Sequence, residues 1–234
     1  MPDVRDSWPG LDHRRPSRGL QNWAVREPLA RWLEAEGRAA EGLRVLDVGC
    51  GVKPYLPFFA TAREYVGLDL VRTEHADVVG TAEQLPLDDA SFDLVLCLQV
   101  LEHVDDPGQA IRELHRVTRP GGRVLLSTHG TQVYHPSPAD YWRWTHTGLE
   151  RLFATSATWR SVTVTPGAGT GACLGMLLAT YVNLATKRLH AVWLGRLVNH
   201  AVNRVAGWLD RLAPSLREPR PGALLANYHV VAER

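Results

Sequence analysis

The sequence predicts an α/β fold with a doubly wound, seven-stranded sheet, helices on both faces and a helical insertion before the last strand. Two observations carry this prediction. Short apolar runs alternate with helical patterns along the first 130 residues, and a long helical stretch separates the last two apolar runs. The near-continuous apolar character of the first runs is typical of parallel strands that are covered on both faces.

The elements follow from these patterns in chain order. Residues 20–37 form a helix, because Leu29, Trp32 and Leu33 recur at helical spacing, and Gly37 is its expected C-cap. Helical patterns follow at 55–62 and at 106–122, the second closed by a Pro-Gly-Gly sequence, and Thr145 is the expected N-cap of a later helix. The seven predicted strands cover residues 43–48, 64–70, 76–79, 92–98, 122–128, 159–166 and 226–234.

These elements divide the chain into four parts. Residues 1–42 are expected to form a cap, 43–168 the core, 169–222 the insertion and 223–234 the last strand. The apolar stretch 172–186 is 15 residues long, which is short of a membrane span. The next helix has an apolar face, which we expect to pack on the core as a lid, while a homodimer or a peripheral membrane contact through 172–213 stays open. That face comprises Leu194, Leu197, Val198, Ala201, Val205, Trp208, Leu209 and Leu212.

Composition excludes several classes of protein. The net charge of +1 gives no basic field for nucleic acid. The three cysteines are far apart and form no CxxC pair, and the histidines have no metal-ligand spacing, so we expect neither a disulfide framework nor a metal site. The N-terminus has no apolar signal segment, which predicts a cytoplasmic protein.

The stretch VLDVGCGVKPY, residues 45–55, indicates a ligand site after the first strand. Gly49 and Gly51 permit a turn and a close backbone approach, whereas Pro54 stands where a dinucleotide-binding loop has its third glycine. Asp69 follows Gly51 by 18 residues, at the end of the second strand, where a carboxylate can accept both ribose hydroxyls. This combination points to a nucleoside without phosphates, which suggests S-adenosylmethionine.

The sequence resembles the class I S-adenosylmethionine-dependent methyltransferases, particularly the type 11 small-molecule group. The resemblance covers residues 43–128 and rests on VLDVGCGVKPY, YVGLDL, GTAEQLPLDDASFDLVLCLQVLEHVDDP and LHRVTRPGGRVLLST. It implies a Rossmann-like sheet. The form GCGxKPY, together with the later YWRWTHTGLERLF, resembles a subset common in glycan and natural-product pathways.

The resemblance implies roles for eight residues toward the cofactor. Asp69 takes the ribose hydroxyls, Leu70 lies beside the adenine and Gln99 lines the methionine part. The usual Asp-Ala-Glu motif at the adenine edge reads Thr-Ala-Glu here, so its acidic contact to the adenine amine is absent. The Glu102-His103 pair is mostly structural or near the cofactor in this family. The expected cofactor residues are Asp47, Gly49, Gly51, Asp69, Leu70, Ala82, Glu83 and Gln99.

The loop after the fifth strand is expected to hold the acceptor, because such loops commonly carry substrate-specific residues. Histidine is the natural base near neutral pH, which favours His129 first and His135 second, with Asp140 as orienting group or alternative base. Positioning alone is the alternative to a dedicated base. The candidate substrate-binding residues are Tyr134, Tyr141, Trp142 and Arg143, and for Arg143 a structural salt bridge is equally plausible.

Two functions follow from these features. The first is a methyltransferase acting on a small-molecule acceptor, most plausibly a hydroxyl of a sugar or natural product. The second is a non-catalytic S-adenosylmethionine-binding subunit that supports a partner through the amphipathic insertion. Methylation of a lipid-linked acceptor at a membrane surface is a variant that rests on the insertion alone.

Overall fold

The computed structural model describes residues 14–136 and 139–234, so the first 13 residues of the expected cap lie outside the described residues. A seven-stranded sheet with the order β3-β2-β1-β4-β5-β7-β6 confirms the predicted fold class. Strands β1 to β5 are parallel, and β7 runs antiparallel between β5 and β6. The strands are β1 Arg44–Val48, β2 Glu64–Asp69, β3 Val78–Val79, β4 Phe92–Leu98, β5 Thr118–His129, β6 Ser161–Pro166 and β7 Asn227–Glu233.

This strand order positions the site. The chain moves outward from β1 through β2 to β3 and then returns to place β4 on the other side of β1. At such a switch point the loops that leave the carboxyl ends of neighbouring strands diverge and open a crevice. The loops after β1, β4 and β5 therefore border one edge of the sheet.

Within residues 15–136 and 139–234, five α-helices and two short 3-10 helices accompany the sheet. Thr145 is confirmed as the N-cap of α3, where its hydroxyl accepts the Gly148 N–H at 3.1 Å. The helical pattern at 55–62 gives only the 3-10 turn Leu56–Phe59. The α-helices are α1 Trp23–Gly37, α2 Pro107–Val117, α3 His146–Ser156, α4 Thr170–Arg188 and α5 Val192–Leu212.

Gly37 is the last residue of α1 and not, as the sequence predicted, its C-cap. Arg38 is the C-cap residue and has right-handed backbone angles. A Cβ on Gly37 would lie 2.2 Å from the carbonyl oxygen of Phe58. The glycine is therefore required because the backbone of the 3-10 turn passes directly against the end of α1.

Gly37→Ala is expected to destabilise the protein by roughly 1–3 kcal/mol, since the backbone of the 3-10 turn must move to admit the methyl group. The free energy of unfolding in urea measures this effect. Gly207→Ala in α5 is the matched control, because its Cβ would meet Trp23 at an ordinary 3.6 Å and alanine favours a helix. Equal stability of the Gly37 variant and wild type would contradict the steric argument.

The helix α5 lies with its polar side inward, so the expected packing of its apolar face on the core is wrong. Its buried positions are Gly195, Asn199, Asn203, Ala206 and Asp210. Helices α4 and α5 approach closely at small residues, and a Cβ on Gly175 would lie 2.6 Å from that of Ala206. Among the described residues, no helix combines the length and apolarity that crossing a membrane requires.

Candidate cofactor and acceptor site

The loop after β1 has the conformation that its glycines predict. Gly49 has φ +71° and Gly51 φ +51°, in the left-handed region that side chains with a Cβ rarely adopt. A Cβ on Gly49 would lie 2.4 Å from Cγ2 of Val100, in the segment after β4. The two glycines thus give a tight loop that lies directly against the carboxyl end of β4.

Asp69 and Leu70 lie beside this loop, as the resemblance implies. The Asp69 carboxylate accepts the backbone N–H of Gly51 at 2.9 Å, which fixes it at the end of β2 facing the glycine turn. The second carboxylate oxygen has no side-chain partner among the described residues. Leu70 is 60% exposed, so an apolar surface is available next to the carboxylate.

Asp47 lies beneath the loop and is almost wholly buried. The Tyr65 hydroxyl donates to Asp47 Oδ2 at 2.7 Å across the neighbouring strand. Burial raises the pKa of this carboxyl to about 7, although the bond from Tyr65 and the charge of Lys53 oppose the shift. Asp47 therefore supports the loop through a side-chain contact inside the sheet.

Asp47→Asn is expected to remove a loss of stability that wild type shows between about pH 4 and pH 7. A carboxyl with a raised folded-state pKa binds its proton more tightly in the native state than in the unfolded chain. It therefore lowers stability as the pH rises from its unfolded pKa near 4 to its folded pKa of about 7. Each unit of displacement corresponds to roughly 1.4 kcal/mol.

Urea unfolding of wild type and Asp47→Asn at several pH values measures this difference. Other titrating groups are shared by the two proteins and cancel when their free energies of unfolding are subtracted. The amide keeps an oxygen that can accept from Tyr65. A difference that does not change with pH would show that Asp47 titrates alike in the folded and unfolded states.

The Thr81-Ala82-Glu83 segment lies between β3 and β4, and its side chains hold local structure. Glu83 Oε1 accepts the backbone N–H groups of Asp105 and Asp106 at 2.8 and 2.9 Å, just before α2. The Thr81 hydroxyl accepts the Gln84 N–H, and Ala82 is buried. Glu83 thus connects this segment to the start of α2, while the cofactor roles of Ala82 and Glu83 stay predictions.

Gln99 ends β4 in an unusual backbone conformation. Its φ is +59°, a left-handed value that costs a non-glycine residue free energy and is concentrated at functional sites. Its side-chain amide donates to Ser127 Oγ at 2.9 Å and to Asn227 Oδ1 at 3.0 Å. Gln99 therefore joins the ends of β4, β5 and β7 behind the glycine loop.

Four residues at the ends of β4 and β5 form what we call the histidine cluster: Glu102, His103, His129 and His135. His129 Nε2 lies 3.2 Å from Glu102 Oε1, and its ring centre is 5.0 Å from that of His135. The His103 and His135 rings meet edge to face at 5.2 Å. The structure thus brings together the two histidines that the sequence favours as bases.

Burial suppresses charge in the inner half of this cluster. It lowers the pKa of His129 to about 3, with the neighbouring His135 and Arg143 adding to the shift. It also raises the pKa of Glu102 to about 7, and Glu102 Oε2 accepts the Thr128 hydroxyl at 2.8 Å. His129 is therefore neutral at physiological pH and a weak proton acceptor.

Asp140 orients His135 and is itself held by Arg143. Asp140 Oδ2 lies 3.1 Å from His135 Nδ1 and accepts the His135 backbone N–H at 3.0 Å. Arg143 donates to both carboxylate oxygens, at 2.5 and 2.6 Å. Although burial acts in the opposite direction, the bonds from Arg143 and His135 hold the pKa of Asp140 well below its usual range. Asp140 is therefore ionised beside a half-exposed imidazole.

The candidate substrate-binding residues separate into two groups. Tyr134 and Tyr141 are exposed near the cluster. Trp142 donates its indole N–H to the Val104 carbonyl and stacks on Trp144, so its side chain is held in contacts within the protein. Arg143 also donates to three backbone carbonyls of the same loop, which gives it the structural salt bridge that the sequence left open.

Glu102 and His103 belong to the cluster, although the resemblance implies that this pair is mostly structural or near the cofactor. The signal was the adjacent Glu-His pair after β4. Ligand atoms of Glu102, His103 and His135 lie within 4.8 Å of one another, close enough to hold one metal ion. The expectation that the protein has no metal site stays a prediction, and turnover that survives exhaustive chelation would support it.

The described residues fit S-adenosylmethionine. The close approach of the glycine loop leaves no room for a Cβ at Gly49, and Asp69 presents a carboxylate beside the exposed Leu70. Carboxylate acceptors suit ribose hydroxyls, and the loop has no third glycine to receive a pyrophosphate.

Comparison with known proteins agrees with this fit. A family model described as a methyltransferase domain matches residues 46–126. The ubiquinone biosynthesis O-methyltransferase of Pseudomonas syringae pv. tomato is 34% identical over 116 residues, which cover 42% of this chain and 48% of that protein. A probable S-adenosylmethionine-dependent methyltransferase of Mycolicibacterium smegmatis is 39% identical over 106 residues, covering 41% of each chain.

Solved structures share the fold at low sequence identity. The 1,6-didemethyltoxoflavin-N1-methyltransferase of Burkholderia thailandensis, with bound S-adenosylhomocysteine, matches with a TM-score of 0.55 at 17% identity, covering 99% of this chain and 82% of that one. The cyclase SpnF matches with a TM-score of 0.56 at 16% identity, covering 94% and 84%. Fold alone therefore accompanies more than one activity.

The chain spans about half the length of the curated relatives that it matches. The family model covers the glycine loop and most of β1 to β5. Sequence motif, strand order and family model agree over this region. Residues 46–126 of the chain therefore match a methyltransferase domain, and this stretch holds the glycine loop.

Proposed function

We propose that this protein is an enzyme that transfers a methyl group from S-adenosylmethionine to a hydroxyl of a small molecule, a sugar or another natural product. The observation that carries the proposal is the Asp140–His135 pair, which lies in the histidine cluster at the same edge of the sheet as the glycine loop. A binding module would need the loop but has no need of an oriented base.

The cofactor, when bound, supplies an electrophilic methyl group. The chain's own residues hold and align it: the backbone at Gly49 and Gly51 makes the close contact, and Asp69 takes the ribose hydroxyls. Since methyl transfer is an in-line displacement, holding donor and acceptor in register supplies much of the rate.

His135 is the residue that we propose as the base, in preference to His129. The ionised Asp140 lies 3.1 Å from Nδ1 of His135, and its negative charge favours the tautomer with the proton on Nδ1 and the lone pair on Nε2. That nitrogen can take the proton of an acceptor hydroxyl as the oxygen attacks the methyl carbon. His129 is buried and weakly basic, and it packs against His135 and Glu102. Its proposed role is therefore to position these two side chains.

The relatives support an oxygen acceptor, because several are named ubiquinone biosynthesis O-methyltransferases. The sugar or natural-product acceptor rests on the likeness of the loop after β5 to methyltransferases of such pathways. Methylation of a lipid-linked acceptor stays a variant. The non-catalytic S-adenosylmethionine-binding subunit is the alternative of a different class.

Incubation of the purified chain with S-adenosylmethionine and panels of sugars, phenols and lipid-linked glycans tests the proposal. Formation of S-adenosylhomocysteine that depends on the acceptor, with a product heavier by one methyl group, is the expected result. Tight cofactor binding without turnover on any panel would favour the binding subunit. The assay includes enzyme treated with a chelator. Loss of turnover there would indicate a bound metal ion, for which Glu102, His103 and His135 are the candidate ligands.

A further inference from the structure

Helices α4 and α5 form a hairpin with a broad apolar surface turned toward solvent. Leu189 is 75% and Trp193 70% exposed at the turn between the helices. Single exposed apolar residues are ordinary, whereas a contiguous set marks an interaction surface. We call this set the hairpin face; it comprises Leu178, Tyr181, Leu184, Leu189, Trp193, Leu197, Val205, Trp208 and Leu212, all exposed.

The orientation of the hairpin is fixed by polar contacts on its other side. Asp210 accepts the N–H groups of Gly169, Gly171 and Ala172 and thereby caps α4. Asn203 donates to the carbonyls of Arg18 and Leu20 at 2.7 and 2.9 Å. Rotating α5 to bury its apolar side would leave these buried groups unpaired, at a cost that hydrophobic burial must exceed. The apolar face is therefore held outward.

The charge around the hairpin face is positive. Residues 170–212 contain five Lys or Arg residues, all exposed, and one acid, the buried Asp210. A cavity of about 1080 Å³ beside α5 is lined by Arg14, Arg15, Arg196 and His200, with Glu34 as its one acidic lining residue. The five basic residues of the hairpin are Lys187, Arg188, Arg196, Arg204 and Arg211.

We propose that the hairpin face docks on an anionic lipid membrane. Leu189 and Trp193 enter the interface, and Lys187 and Arg188 lie at the level of the headgroups. Apolar and aromatic residues at the turn with basic residues beside them are the composition of interfacial helices. A second copy of the chain would bring like charges together, whereas anionic lipid matches both the apolar and the basic parts. This proposal does not depend on the methyl-transfer function.

Cosedimentation of the full chain with vesicles tests the proposal. We expect binding to vesicles of phosphatidylglycerol and phosphatidylcholine, weakened by salt, and much weaker binding to phosphatidylcholine alone. Leu189→Ser with Trp193→Ser should weaken binding roughly 100-fold through lost apolar burial. Lys187→Gln with Arg188→Gln should weaken it roughly 30-fold, about fivefold for each basic side chain.

Leu56→Ser is the matched control, because Leu56 is an exposed leucine outside the hairpin and should leave vesicle binding unchanged. Circular dichroism and S-adenosylmethionine affinity, equal to wild type, show that each variant is folded. Failure of wild type to bind the anionic vesicles would overturn the proposal, and so would binding as tight as that of wild type in both double variants. So would a wild-type dimer in light scattering that dissociates in the double variants, because it would assign the face to a second copy.

Discussion

Replacing His135 by alanine is expected to lower turnover roughly 10²–10⁴-fold, the usual contribution of a general base. The affinity for S-adenosylmethionine should change little, since His135 lies on the loop after β5 and the glycine loop follows β1. Asp140→Asn should also lower turnover, because a neutral amide supplies no negative charge beside His135 Nδ1 and cannot form the ion pair with Arg143. Single-turnover rates with saturating cofactor measure both effects.

Comparison with His129→Ala assigns the base. Because burial lowers the pKa of His129 to about 3, its protonation cannot produce a loss of rate between pH 5 and pH 7. Any such loss in wild type should therefore persist in His129→Ala, whereas turnover itself should fall far more in His135→Ala than in His129→Ala. The exposed His200 supplies a control variant, His200→Ala, that should match wild type on a soluble acceptor. Wild-type turnover in both His129→Ala and His135→Ala would show that positioning alone carries the reaction.

Asp69→Ala is expected to weaken S-adenosylmethionine binding roughly 10–100-fold. The variant loses charge-assisted hydrogen bonds to the ribose and also the acceptor of the Gly51 N–H, which orders the glycine loop. Titration calorimetry on folded protein measures the affinity. Asp69→Asn should be affected less, because the amide oxygen can still accept from Gly51.

Asp88→Ala is the control for the loss of a carboxylate away from the glycine loop. It should bind the cofactor like wild type, since the Asp88 contact in the structure is made by its backbone carbonyl. Unchanged affinity in Asp69→Ala would remove Asp69 from the cofactor site. That result would leave the fold assignment intact, because the sheet order does not depend on this side chain.

The parts of the molecule that the sequence predicted are those with local causes. Strands β1, β2 and β4 were visible as short apolar runs, since a strand buried on both faces needs apolar side chains on both. Gly49 and Gly51 were informative because few residues other than glycine adopt positive φ, and Thr145 because its hydroxyl caps a helix three residues away. The strands and the conformation of the glycine loop therefore followed from residues close together in the chain.

Long-range contacts decided the rest. The histidine cluster joins Glu102 to His129 and His135 because the loop after β5 folds back, with Tyr141 and Trp142 donating to the Glu102 carbonyl. The spacing of apolar residues in the sequence does not predict that this loop folds back onto Glu102. The pKa of His129, and with it the choice of base, depends on burial created by these contacts.

The hairpin shows the same division between local and tertiary causes. Amphipathic spacing in α5 correctly located an apolar side and a polar side. The spacing could not predict which side faces the protein, because that depends on which hydrogen-bond partners the polar side chains have in the folded structure. Asn203 and Asp210 find backbone partners near residue 20 and at the start of α4, and these hydrogen bonds turn the apolar side outward. The sequence by itself determined the helix and its two faces, and only tertiary structure decided which face was buried, because buried polar groups must be paired.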